Sequence, residues 1–118
     1  LYFHHNWPSV DEARARAPFP AIRDHILLPI ARDLEAADAR LAPRLGPDAL
    51  ADVVASVPDA LLMDAPEGRE PPFPTPDAAR EAYRAYFQTR LEPPRAWVAE
   101  AVRAQQAAPD TTALPYRR

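Results

Sequence analysis

The residues of this chain that could do chemistry are few. Its histidines are His4, His5 and His25. Imidazole binds metals and exchanges a proton near neutral pH without help from its surroundings. His4 and His5 are adjacent, and adjacent side chains of an extended segment point to opposite faces, so one metal ion would rarely take both. No His-Glu-x-x-His motif puts two imidazoles on one helical face. Packing or solvation is therefore the preferred reading of all three histidines. Asn6 beside His4 and His5 leaves acid–base chemistry open for that short segment.

Carboxylates are more numerous. Asp33, Glu35 and Asp38 lie close together, and Asp48 and Asp52 are four residues apart on one helical face. An acid–base pair of the glycosidase kind needs two carboxyls opposed across a cleft, one of them with a raised pKa. No pattern here marks a cleft, so these groups read as a solvated acidic face. Ser9 and Ser56 lie in no Gly-x-Ser-x-Gly element, and Ser9 is better used as a helix cap. Lysine is absent, and two glycines, Gly46 and Gly68, cannot build a phosphate-cradling loop. Cysteine is absent too, which excludes a thiol nucleophile, a cysteine zinc site and a disulfide framework. No residue is assigned as catalytic, cofactor-binding or metal-binding, and no complete catalytic site is expected.

Composition narrows the partners. The net charge is −3, distributed as +1 over residues 1–32, −5 over residues 33–64 and +1 over residues 65–118. A nucleic-acid binder usually presents a basic stripe; here the middle of the chain is an acidic band, so no nucleic-acid partner is expected. An antitoxin-like helix-turn-helix would need a basic recognition helix, and the helices are neutral to acidic. The longest apolar runs, Ile26-Leu27-Leu28 and Ala60-Leu61-Leu62-Met63, fall far short of the ~20 residues of a membrane span. The start has no signal-peptide pattern, and the lack of cysteine fits a reducing cytoplasm. The first residue is Leu1, which leads us to expect a processed, trimmed or partial chain.

The elements that must position these residues are helices. At 118 residues the chain is one domain or less, and of its 47% hydrophobic residues 25 are alanine, which favours helix but buries little area. Sixteen prolines and no Asn-Gly or Asp-Gly turn argue against an antiparallel sheet. The expectation is an all-α fold of five to six short, proline-punctuated helices. Ser9 and Glu12 form a capping box opening a helix from Val10 to about Ala17. Residues 21–30 hold an apolar cluster, in which Asp24 could cap a short helix limited by Pro29; a buried short strand is equally allowed by a run of this length, and helix or turn is the preferred reading. Asp33 caps a helix with the stripe Leu34, Ala37, Leu41 and Leu45, and Gly46 stops it. Pro47 begins the next helix, with Leu50, Val53, Val54 and Val57 on its apolar face, and a short helical restart follows Pro58.

Residues 65–74 read as a proline-rich inter-helix loop in preference to a Pro-x-x-Pro ligand for a partner domain. Thr75-Pro76 starts a helix to about Leu91 that carries Ala79, Tyr83, Tyr86, Phe87 and Leu91 on one face and Arg80, Glu81, Arg84 and Gln88 on the other. Pro94 opens a last helix to about Gln106 with the stripe Trp97, Val98, Ala101 and Val102. Residues 1–107 are read as one helical portion and residues 108–118 as a frayed tail.

The opening segment Leu1-Tyr2-Phe3-His4-His5-Asn6-Trp7-Pro8 resembles the stretch that follows the metal-binding Asp-His-Gly element of HipA-like kinases, in their actinobacterial branch. Later pieces match in order: Asp24-His25-Ile26-Leu27-Leu28, the Asp33–Leu45 helix, Val57-Pro58-Asp59-Ala60-Leu61-Leu62, and Tyr86 to Leu91 running into Pro94-Arg95-Ala96-Trp97. The likeness covers about residues 1–104 and rests on order and spacing. It implies a kinase-like parent domain that uses ATP and Mg, with this chain as its C-terminal helical part. The family's phosphate-binding lysine, catalytic Asp and metal-binding Asp have no counterpart here, so the chain is expected to be inactive alone. Its partner would be the missing N-terminal kinase portion, or another protein if the chain is a free-standing helical interaction module.

Overall fold

The computed structural model describes Trp7 and residues 10–108, and among these every regular element is helical. Six α-helices occur in order: α1 (Glu12–Arg16), α2 (Leu34–Leu41), α3 (Pro47–Ala55), α4 (Asp59–Leu62), α5 (Pro76–Leu91) and α6 (Ala96–Ala107). Three 3₁₀ turns, Pro20–Asp24, Leu28–Ile30 and Ala42–Arg44, fill the gaps. The all-α expectation holds. The tail assignment falls, apart from Ala108, outside the described residues.

Prolines and caps set the boundaries. Pro47 and Pro76 occupy first-turn positions, where a missing N–H costs nothing. Thr75 Oγ1 accepts from the Ala78 amide at 3.1 Å and starts α5 where the sequence placed it. Asp33 likewise accepts from the Ala36 amide at 3.2 Å, but does so with φ at 47°, in the left-handed region that few residues other than Gly, Asn and Asp enter.

Other boundaries moved. The residue capping α1 is Asp11, whose Oδ1 accepts from the Arg14 amide at 2.7 Å; the helix therefore starts at Glu12 rather than Val10. Ser9, the expected cap, lies outside the described residues. Asp24 does not open a helix but ends the Pro20–Asp24 turn. α2 stops at Leu41 instead of reaching Leu45, because Pro43 lacks an N–H and its ring crowds the preceding turn; Ala42–Arg44 tightens to 3₁₀. Gly46 consequently serves as the N-cap of α3, not as the stop of α2. The last helix begins at Ala96, two residues after Pro94, behind the cis Pro93–Pro94 bond.

The helices gather around two centres. α5 receives α1, α3 and α4, whereas α6 receives α2 and the two 3₁₀ turns of residues 20–30. Around α5, the side chains of Val54, Leu62, Ala79 and Tyr83 are buried, with Trp7, Val57, Phe73 and Phe87 packed against them. The loop of residues 65–74 contributes Phe73 to this core and turns at Gly68, whose φ of 77° suits glycine. Trp7 sits 4.4 Å from Tyr83, 5.2 Å from Phe73 and 5.9 Å from Tyr86 between ring centroids, within the range of favourable aromatic pairs. Around α6 no helix residue is buried, and α2 has none either.

The molecule is correspondingly open. Its radius of gyration is 17.8 Å, where a compact domain of this length has about 13.5 Å. Its accessible surface is 8859 Å², where a compact monomer of its mass exposes about 6400 Å².

Candidate interaction surface

Of the polar residues that the sequence offered as possible chemistry, His25, Ser56 and Asp33 serve local structure. His25 is exposed, and its Nδ1 accepts from the Leu27 amide at 3.2 Å. Ser56 Oγ donates to the Val53 carbonyl at 2.6 Å, beyond the end of α3. Asp33 is used as a cap, and Asp48 and Asp52 are exposed on α3. His4, His5, Asn6 and Ser9 lie outside the described residues. Among the described residues no group of three or more His, Asp or Glu side chains is placed to hold a metal ion.

One carboxylate departs from the expected solvated face. Asp38 is only 20% exposed and receives Arg95 in a fork: Nε reaches Oδ1 at 2.9 Å and Oδ2 at 3.2 Å, and Nη2 reaches Oδ2 at 2.5 Å. Arg95 Nη1 also donates to the Leu91 carbonyl at 3.0 Å. The hydrogen bonds to Asp38 raise the Arg95 pKa further above its ordinary value. This planar pairing ties α2 to the start of α6 and to the end of α5, and lysine could not reproduce it.

Arginine makes the other joints as well. Arg90 Nη1 donates to the Ala15 carbonyl at 2.9 Å and to the Ala17 carbonyl at 3.3 Å, while its guanidinium lies 5.3 Å from the Trp97 ring centroid. Trp97 Nε1 returns a bond to the Arg90 carbonyl at 2.9 Å. Arg16 binds Glu92 at 2.6 Å. Arg80, expected on the open face of α5, is half-buried and donates to the Val57 carbonyl at 2.9 Å and to Asp59 and Asp77. Sequence pattern gave no sign of these contacts, because the partners of Arg80, Arg90 and Arg95 in α4, α1 and α2 are 21, 75 and 57 residues away.

With the polar groups engaged, the apolar surface becomes the distinctive feature. The stripe Leu34, Ala37, Leu41 and Leu45 faces Trp97, Val98 and Ala101 of α6 across an open groove of about 270 Å³, with Asp38 at its wall. Leu41 and Leu45 remain 47% and 44% exposed beside it. On the other elements packed against α6, the two turns of residues 20–30 bury Leu28 but leave Ile26 86%, Leu27 55% and Ile30 64% exposed, with Phe19 just before them at 54%. Scattered exposed apolar residues are ordinary; here four fall within twelve residues of chain. The sequence showed the 21–30 cluster but not that its side chains would point outward.

No described helix is long and apolar enough to cross a membrane, so that surface does not belong to a spanning helix. No family model, no curated protein and no solved structure matches the chain.

Proposed function

We propose that this chain is the non-catalytic C-terminal helical portion of a HipA-like kinase, and that its uncovered apolar surface meets the N-terminal portion that carries the nucleotide chemistry. The observation that carries the reading is the exposure of Phe19, Ile26, Leu27 and Ile30 on the turns beside α6. A helical body finished on its own would bury side chains of this size, each worth about 1.5–3 kcal/mol when fully covered. The likeness in sequence adds a second support, since two of the resembling segments supply joints of the fold. Val57–Leu62 delivers Leu62, among the described residues the one large side chain less than 2% exposed, and Pro94–Trp97 delivers Arg95 and Trp97. Such segments preserve a scaffold rather than a reaction centre. In this reading the protein is cytoplasmic and bacterial, its partner is a protein, and neither nucleic acid nor membrane is bound.

Two measurements test it. Adding ATP with Mg to the isolated chain leaves its melting temperature unchanged; a nucleotide-dependent rise overturns the assignment of an inert portion. The reading frame upstream of Leu1 encodes a kinase core ending in Asp-His-Gly. A start codon at or just before Leu1 instead favours the second reading, a free-standing interaction module. That reading draws on the groove beside Trp97, whose apolar lining has the character of a seat for a partner helix.

A further inference from the structure

We draw no further inference here: the strongest candidate, the apolar groove of about 270 Å³ between α2 and α6 lined by Leu34, Leu41, Leu45, Trp97 and Val98, carries nothing because nothing in the structure shows what covers it.

Discussion

The half of the molecule around α5 and the half around α6 use the same helical vocabulary with opposite results. Around α5, aromatic and branched side chains meet each other: Tyr83 is 5% exposed, Leu62 1% and Ala79 0%. Around α6, the helices are amphipathic too, yet neither α2 nor α6 buries a residue, and their polar attachments include the Arg95–Asp38 fork, the bond from Gln105 to the Ala31 carbonyl and the Trp97–Arg90 bond. Apolar burial is the main favourable term in folding, whereas partly exposed ion pairs add little. The contrast teaches that a helix stripe predicts a face to be covered, not that the same chain covers it.

The sharpest way to break this comparison is to cut into each half in turn. Tyr83→Ala is expected to lose about 3–5 kcal/mol of unfolding free energy and Leu62→Ala about 2–5 kcal/mol, measured by urea denaturation. Ile30→Ala, at a position 64% exposed, should stay within about 0.5 kcal/mol. Equal losses in the two halves would erase the distinction.

Alkaline titration probes the α5 core by another route. Burial pushes the Tyr83 hydroxyl from 10.0 up to about 12. The unfolded chain therefore releases this proton first, and the stability that Tyr83 contributes is complete below pH 10 and disappears as pH rises to about 12. The loss is about 3 kcal/mol, following from a shift of this size. Tyr83→Phe should flatten that part of the stability–pH curve; a curve unchanged by the substitution would place the ionisation elsewhere.

The α6 half answers to backbone and polar changes of smaller size. Asp33→Ala removes the cap of α2 and puts alanine at a φ of 47°, for a cost of about 2 kcal/mol, whereas Asp33→Gly costs only a few tenths because glycine accepts that conformation. Arg95→Ala should cost about 1 kcal/mol, given that both partners keep some contact with water. Its signature is local: amide exchange quickens in α2 and the first turn of α6 and stays unchanged in α3 and α5. Uniform acceleration throughout would mean that the two halves unfold as one. Smallest of all, Ile26→Glu should leave the melting temperature of the isolated chain untouched, since the side chain is 86% exposed; a clear drop would show that the turn is covered from within.

Much of the helical plan was legible because its causes are local. Thr75-Pro76, Gly46-Pro47 and Asp33 act on the amides of their own first turn, and Pro43 on the carbonyls just before it. Those boundaries that shifted did so for equally local reasons: Asp11 took the cap of α1, and Pro43 ended α2 a turn early. Asp38 reads as solvated in the sequence because a carboxylate three residues from Glu35 and two from Arg40 looks the same whether or not a distant guanidinium lies over it. The outward turn of Ile26 and Ile30 was equally hidden, since an apolar run of that length fits a buried segment as well as an uncovered one.

The sequence by itself determined that the protein is helical, where most helices start, and that it lacks the lysine, cysteine and glycine-rich motifs of the common catalytic sites. Those are properties of residue type and short spacing. Only the tertiary structure decided that Trp7 joins Tyr83 and Phe73, that Arg95 grips Asp38, and that Val54, Leu62, Ala79 and Tyr83 form a core around α5 while neither α2 nor α6 buries a residue. Each of these depends on which segments meet across tens of residues, and neither helical period nor capping chemistry reaches that far.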